Sequence, residues 1–274
     1  ASDSGKLLGG QKISVERADS TCVDSAAATT AAEGLISNGV VAIMGADCSG
    51  VTGAIATNVA VPNGVVMISP SATSPGLTDL NDNGYFFRTA PSDARGGQIL
   101  ADITKDRKVK SVAITYTNND YGKGLADVYK AAVEAHGIKV TTVAAHEDGK
   151  ADYSAEVATL ASAGGDAVAV IGYIDQGGKG IIQASLDSGA FDVFILSDGM
   201  IGDSLTDNFG KALNKSFGSL PGSTGKGAGV FADVAKAGGI DSSGPYTGES
   251  YDAAALITLA MQAGGKADRA TIQQ

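Results

Sequence analysis

Short, almost continuously apolar runs alternate with helical segments along most of this 274-residue chain. The runs predicted as strands are residues 12–18, 40–45, 65–69, 111–117, 139–145, 167–172 and 193–197. The segments predicted as helices are residues 25–37, 50–61, 94–105, 122–135, 153–163 and 178–188. Strands that are apolar throughout are typical of a parallel sheet whose two faces are both covered by helices. The alternation therefore predicts a doubly wound α/β architecture.

The length of the chain and two candidate crossings predict two lobes. A chain of 274 residues exceeds most single hydrophobic cores and suits two domains of ordinary size. Residues 86–93 separate one set of β-α units from the next, and residues 218–222 form a second candidate crossing, with Pro221 as a hinge residue. We therefore predict a first lobe from residues 1–91 and 222–274, and a second lobe from residues 92–221.

The charge balance argues against polyanionic partners. The formal net charge is −10 and the sequence pI is ≈ 4.6, and Lys and Arg form no cluster, so neither nucleic acid nor an anionic membrane surface is an expected partner. No apolar run reaches the roughly 18 to 20 residues that a membrane span requires. Residues 1–10 are polar and rich in glycine and do not form a signal peptide. We expect either a cytosolic protein or one whose leader has been removed.

Motifs that would support catalysis are scarce. The chain has no Gly-x-Ser-x-Gly elbow, no complete phosphate loop and no Gly-x-Gly-x-x-Gly after a relevant strand. Of the two histidines, His136 is expected to have a structural role because Gly137 ends its helix, and His146 is expected in a solvated loop. The spacing indicates no metal site. We predict a protein that is not an enzyme and has no metal or cofactor.

Polar residues lie just beyond the ends of several predicted strands. They are Ser49, Ser71, Thr73, Tyr121, Tyr173 and Asp198. In a doubly wound sheet, ligands bind outside the carboxyl ends of the strands. The hydroxyls could hold a carboxylate, the tyrosines could cover an apolar or flat group, and Asp198 could pair with an ammonium, which together describe an amino acid. Each residue taken alone could equally be part of a turn or a core edge.

The two cysteines, Cys22 and Cys48, each follow a predicted strand. If those strands are neighbours, the thiols lie at one edge of the sheet and could form a disulfide, which would indicate an oxidising compartment. Two buried free thiols are the alternative, and the spacing does not decide between them.

Five motifs occur in order between residues 12 and 202. They are Cys48-Ser49, the run Ile68-Ser69-Pro70-Ser71-Ala72-Thr73-Ser74-Pro75-Gly76-Leu77-Thr78, Phe87-Arg88-Thr89-Ala90, Asn119-Asp120-Tyr121-Gly122-Lys123-Gly124-Leu125-Ala126, and Asp152-Tyr153-Ser154. Together they resemble the periplasmic leucine/isoleucine/valine-binding proteins, which are type I solute-binding proteins of ABC transporters. The resemblance weakens over residues 210–245 and resumes at residues 251–254.

The resemblance implies two Rossmann-like α/β lobes, joined by crossover strands, that close on an amino acid in the cleft between them. It implies that Ser49 and Thr73 hold the α-carboxylate, that a backbone carbonyl at Ser71 and the acidic Asp198 receive the ammonium, and that two tyrosines of the second lobe contribute aromatic contacts. The matching ligand-binding positions are Ser49, Ser71, Ala72, Thr73, Tyr121, Tyr173 and Asp198. The matching hinge and disulfide positions are Asp93, Cys22 and Cys48.

Three residues depart from the family's pattern. Asp198 stands where members that bind aliphatic amino acids often carry glutamate, Asp47 adds a negative charge close to the expected carboxylate site, and Gly50 replaces a serine. These departures leave the particular amino acid open. The family also normally begins with a further strand and helix and ends with further crossover segments, so we expect the sequence to be trimmed at both ends.

The predicted function is that of a monomeric, periplasmic binding protein that delivers an amino acid, branched-chain or related, to the membrane permease of an ABC importer. The alternative is a sensory or regulatory ligand-binding domain of the same fold that recognises an amide or a small carboxylate. An α/β enzyme is a third reading, and the small number of histidines argues against it.

Overall fold

The computed structural model describes residues 5–222 and 225–274, which form two compact units. The first unit takes its described residues from segments 1–73, 79–90 and 223–274, and the second from segments 74–78 and 91–222. Each unit is built from a parallel sheet and α-helices, so the predicted α/β fold class is confirmed. The assignment of 1–91, 92–221 and 222–274 as lobes stays a prediction.

The regular elements follow one another in the β-α order that the sequence predicts. The strands are β1 (Ala42–Met44), β2 (Val66–Ser69), β3 (Phe86–Arg88), β4 (Ser111–Thr117), β5 (Lys139–His146), β6 (Ala167–Ile171), β7 (Phe194–Leu196) and β8 (Phe217–Gly218). The α-helices are α1 (Ser25–Ser37), α2 (Ser49–Ile55), α3 (Asp93–Asp106), α4 (Asp120–Ala135), α5 (Ser154–Ala163), α6 (Lys179–Ser188), α7 (Asp203–Phe209), α8 (Lys226–Ala237), α9 (Thr247–Gly264) and α10 (Arg269–Gln273). Short π-helices, Ala56–Ala60 and Ile174–Gly178, continue α2 and precede α6.

The sheet of the first unit has three parallel strands in the order β1-β2-β3. The central strand β2 is buried along its whole length, and its residues Val66 and Ile68 pack against Ala253 and Met261 of α9 and Ile272 of α10. Apolar burial against these two C-terminal helices therefore stabilises the sheet.

The sheet of the second unit has five parallel strands in the order β5-β4-β6-β7-β8. The side chains of β6 alternate between two cores: Ala167, Ala169 and Ile171 belong to the core that includes α3 and α4, whereas Val168 and Val170 belong to the core that includes α5 and α6. This is why β6 is apolar at every position, as expected for a strand covered on both faces.

One sequence prediction in the first unit is wrong. Residues 12–18, predicted as a strand, have no regular structure, and Val15 is 69% exposed. Their alternation of apolar and polar side chains imitates a strand, but no described strand pairs with them, so their backbone groups gain no ladder hydrogen bonds. The crossing predicted at residues 86–93 begins with β3, which pairs with β2 through the register Met67 to Phe86, and the chain passes from the first unit to the second between residues 90 and 91.

Candidate functional site

Two loops leave the carboxyl ends of β1 and β2 in the first unit, and serine hydroxyls connect them. The Ser69 hydroxyl donates to the carbonyl oxygen of Ala46 at 2.5 Å and accepts from the backbone N–H of Ala72 at 3.0 Å. The Ser71 hydroxyl contacts the carbonyl oxygen of Asp47 at 3.0 Å and also the Asp47 carboxylate. These hydrogen bonds hold the two loops together.

The residues predicted to hold a carboxylate lie in these loops. Ser49 is the first residue of α2 and is buried, and Ala72 is buried as well. Thr73 is 1% exposed, and within residues 5–222 and 225–274 its hydroxyl has no hydrogen-bond partner. Leaving a buried hydroxyl unpaired costs about 1–3 kcal/mol, so a ligand oxygen that accepts its hydrogen bond would recover that free energy.

A disulfide supports one of the two loops. Cys22 and Cys48 are bonded, with their Cα atoms 5.3 Å apart, so the pairing implied by the resemblance is confirmed. Cys48 is the N-cap residue of α2 and directly precedes Ser49. The covalent bond therefore anchors the loop that carries a candidate ligand-binding serine.

In the second unit, the Tyr121 hydroxyl and the Asp198 carboxylate form a buried hydrogen-bonded group. The Tyr121 hydroxyl donates to Asp198 Oδ1 at 2.6 Å, accepts from the backbone N–H of Gly199 at 3.2 Å, and lies 2.9 Å from Ser197 Oγ. Asp198 is 9% exposed. The Asp198 carboxylate is thus held in one orientation at the carboxyl end of β7, with part of its surface still accessible.

Two negative charges act on the Tyr121 hydroxyl. Burial, followed by the negative charges of Asp198 and Asp93, raises the pKa of Tyr121 well above its ordinary value, so the phenol stays protonated and donates its hydrogen bond. Asp93, at the first turn of α3, is 3% exposed. The neutral phenol therefore holds the Asp198 carboxylate in place without neutralising its charge.

Tyr173 completes the group in the second unit. It follows β6, and its ring stacks on that of Tyr121 with a centroid separation of 5.0 Å and an interplanar angle of 23°. Stacked rings at this separation stabilise each other. The structure therefore brings Tyr121, Tyr173 and Asp198 together, as the positions after their strands suggested.

Sequence reasoning missed two residues that shape this group. Ser197 contacts the Tyr121 hydroxyl and accepts from the backbone N–H of Gly172 at 3.3 Å. A Cβ on Gly199 would lie 2.4 Å from the carbonyl oxygen of Gly172, so only glycine permits this close approach. The signal was present in the sequence as a Ser-Asp-Gly run at the end of a buried strand.

Arg88 is a further missed residue, in the first unit. It belongs to the Phe-Arg-Thr-Ala motif, and its Nη1 donates to the carbonyl oxygen of Ala72 at 3.1 Å. The guanidinium thereby supplies a positive charge beside the Ala72-Thr73 loop, where it would favour a bound carboxylate.

The histidines lie outside these groups. His146 was expected in a solvated loop, but it is the last residue of β5 and is buried, because β5 pairs with β4 up to the register Thr117 to His146. Its Nδ1 lies 2.8 Å from Thr115 Oγ1, and burial lowers its pKa to about 4. His136 caps the end of α4 and contacts Asp102 at 2.7 Å, which fits the expected structural role.

The predicted hinge residues lie at opposite ends of the second unit's main segment. Asp93 is the first residue of α3, and Pro221 lies in irregular structure after β8. Their hinge role stays a prediction. Among the described residues, no three His, Cys, Asp or Glu side chains are arranged to hold a metal ion, and no helix has the length and apolarity to cross a membrane.

Comparison with solved structures defines the class of this fold. The leucine-binding protein LivK of Thermotoga maritima superposes with a TM-score of 0.85 at 23% sequence identity, over 99% of this chain and 77% of that one. The chain therefore has the fold of type I periplasmic binding proteins.

Sequence comparison defines the family. The family described as "Receptor family ligand binding region" matches residues 2–239, and the chain belongs to it. A leucine-, isoleucine-, valine-, threonine- and alanine-binding protein of Pseudomonas aeruginosa is 30% identical over 255 residues, which are 91% of this chain and 67% of that protein. Leu/Ile/Val-binding protein homolog 3 of Brucella melitensis is 39% identical over 144 residues, which are 50% of this chain and 39% of that protein's length. The resemblance that the five motifs predicted is confirmed.

Proposed function

We propose that this chain is the extracytoplasmic solute-binding protein of an ABC importer and that it binds a free amino acid. The observation that carries the proposal is the buried Asp198 carboxylate, which the hydroxyl of Tyr121 orients while the Tyr121 ring stacks on that of Tyr173. An oriented, partly accessible carboxylate is the chemistry that recognises an ammonium group.

The first unit supplies the complementary chemistry for the α-carboxylate. We assign its recognition to the hydroxyls of Ser49 and Thr73, with the backbone around Ser71 and Ala72. Support comes from the buried Thr73 hydroxyl, which has no partner among the described residues, and from the Arg88 guanidinium beside Ala72. A free amino acid would use both groups, whereas an acid that lacks an amine would use only the first.

The role in transport is part of this proposal and rests on the family. Relatives named for the binding of leucine, isoleucine and valine support it. We propose that the chain acts as a monomer without a catalytic step, binds its ligand in the cleft between the lobes, and delivers it to a membrane permease outside the cytoplasm. The sensory alternative predicts a ligand that lacks either the amine or the carboxylate.

Titration calorimetry of the Asp198→Asn variant tests the ammonium assignment. Asparagine keeps the shape and still accepts from Tyr121, but it removes the negative charge. A hydrogen bond to a charged group contributes about 1.5–3 kcal/mol, so we expect the affinity for the best-binding amino acid to fall about 10- to 100-fold. The matched control is Asp192→Asn, an exposed residue paired with Lys215, which should leave the affinity unchanged.

Esterified ligands test the carboxylate assignment in the same assay. The methyl ester of the best-binding amino acid keeps the ammonium and removes the negative charge, so it should bind far more weakly than the free acid. Equal affinity of acid and ester would remove Ser49 and Thr73 from this role. Equal affinity of wild type and Asp198→Asn would remove Asp198 from the ammonium site.

A further inference from the structure

Asp47 places a carboxylate next to the loop of the first unit that is proposed to bind the ligand. Its side chain is exposed and accepts a hydrogen bond from the Ser71 hydroxyl, while the Asp47 backbone carbonyl oxygen lies 3.0 Å from the same hydroxyl. Ser71 is followed by Ala72 and Thr73. The Asp47 carboxylate is therefore held toward the β2 loop and is open to solvent.

No described basic side chain forms an ion pair with Asp47 within 4.0 Å. Arg88, the nearby cation of the β2 loop, donates to the carbonyl oxygen of Ala72. The Asp47 carboxylate is thus compensated in the first unit by hydroxyl contact and solvent. Binding a ligand against it would remove that solvent, and an uncompensated carboxylate is costly to desolvate.

A neutral amino acid brings no positive charge for Asp47. The zwitterion brings one ammonium, which Asp198 receives, and one carboxylate, which the hydroxyl groups and Arg88 favour. Asp47 then has no positive partner on a ligand with an aliphatic side chain. A second cationic group on the ligand would supply one.

We propose that Asp47 is a specificity-determining residue that selects amino acids with a cationic side chain, a guanidinium or an ammonium. This inference rests on the proposed function, since it assumes that an amino acid binds through Ser49, Thr73 and Asp198. Ser71 acts as a positioning residue, because its hydroxyl holds the carboxylate toward the ligand loop. The acidic net charge of −10 favours the approach of such ligands.

Titration calorimetry of the purified protein with four ligands tests the proposal. The ligands are L-arginine, L-lysine, L-leucine and L-citrulline, the last being a neutral analogue of arginine of nearly the same shape. We expect arginine or lysine to bind at least 10-fold more tightly than leucine, and arginine at least 10-fold more tightly than citrulline. Leucine binding as tightly as both cationic ligands would overturn the proposal.

The Asp47→Asn variant assigns the preference to the residue. Asparagine still accepts from Ser71, so the loop keeps its contact while the charge is lost. We expect the affinity for the preferred cationic ligand to fall at least 10-fold and the affinity for citrulline to change less than threefold. Asp233→Asn, on α8 of the same unit, is exposed and makes the same change in net charge, so it should leave both affinities unchanged.

Different results would overturn the proposed function and the inference on Asp47. If leucine binds, Asp198→Asn weakens it, and Asp47→Asn changes nothing, the inference on Asp47 is wrong and the proposed function stands. If none of the proteinogenic amino acids binds, the proposed function is wrong and the inference falls with it. If a cationic ligand is preferred but Asp47→Asn keeps that preference, another residue selects it and the assignment to Asp47 is wrong.

Discussion

The two units have the same α/β construction but reach stability differently. The second unit has five parallel strands, and its strand β6 is buried at every position between two helical layers. The first unit has three strands of three or four residues, and Met44 in β1 is 50% exposed. The second unit is therefore stabilised mainly by its core, whereas the first depends more on a disulfide and on its C-terminal helices.

The candidate ligand-binding groups of the two units also differ, in how many of their hydrogen bonds are already formed. In the second unit, the Tyr121 hydroxyl and the Asp198 carboxylate already bond to each other, so the group is preorganised. In the first unit, the Thr73 hydroxyl has no partner among the described residues, so part of that group gains its hydrogen bond only from a ligand. We therefore expect mutations in the first unit's ligand group to weaken binding without lowering stability. Mutations in the second unit's ligand group should weaken binding and lower stability together.

Removing the disulfide is expected to have the largest effect on stability. The Cys22→Ser/Cys48→Ser double variant releases a loop with a sequence separation of 26, which corresponds to about 3.5 kcal/mol. Denaturant unfolding combined with hydrogen exchange should show this loss in the free energy of unfolding of the first unit, with amides of β4 and β6 protected as in wild type. Equal losses in both units would contradict the comparison.

Acid is expected to destabilise the second unit through His146. Because burial lowers its folded-state pKa to about 4 from an ordinary value of 6.5, the folded state binds fewer protons than the unfolded state between these pH values. The stabilisation is complete above pH 6.5, and about 3 kcal/mol is lost as the pH falls to about 4.

Unfolding measured from pH 7 to pH 4 checks this expectation. His146→Gln should flatten the pH dependence of the second unit's free energy of unfolding over this range. His136→Gln, which removes the other histidine, should leave the His146 contribution in place. An unchanged pH dependence in His146→Gln would show that His146 does not carry the effect.

A methyl group at Gly199 tests how tightly the preorganised group is packed. A Cβ there would lie 2.4 Å from the Gly172 carbonyl oxygen, so Gly199→Ala should cost about 2 kcal/mol and weaken amino-acid binding through Asp198. Gly229→Ala on α8 is the matched control, because its Cβ meets nothing within 4 Å; it should stabilise the protein by about 0.5–1 kcal/mol. Wild-type binding by Gly199→Ala would show that this loop accommodates the methyl group.

The smallest expected change in stability is that of Thr73→Val. The hydroxyl lost has no described partner, so the free energy of unfolding should change by less than about 0.5 kcal/mol or rise, while amino-acid affinity falls. Thr104→Val in the second unit is the comparison, because its hydroxyl bonds to Leu100 and Tyr129, and it should cost about 1–2 kcal/mol. A loss of similar size in Thr73→Val would mean that its hydroxyl already has a partner.

The sequence was sufficient for elements whose stability is local. Helix α1 and strand β4 have the predicted bounds, 25–37 and 111–117, because a capping aspartate begins the first and a sustained apolar run forms the second. The sequence was not sufficient where a strand forms only by pairing with a neighbouring strand. Strand β3 forms because β2 lies beside it, whereas residues 12–18 remain irregular without a described neighbour. Such nonlocal pairing leaves no mark in a short stretch of sequence.

The candidate site shows the same division. Residues after strands could be selected from their position, and the structure places Tyr121, Tyr173 and Asp198 in one group. The Gly199 approach and the orientation of the Asp47 carboxylate depend on packing between segments distant in sequence. The resemblance supplied the disulfide pairing, which cysteine spacing alone left open.

A thermal-shift series of the purified protein with each of the twenty proteinogenic amino acids, and with benzoate and 4-methylpentanoate as acids without an amine, tests the central claim most directly. A ligand at 100 times its dissociation constant adds about 2.7 kcal/mol of stability. We expect a clear rise in the unfolding temperature with at least one amino acid and none with the two acids. A rise only with the acids, or no rise at all, would contradict it.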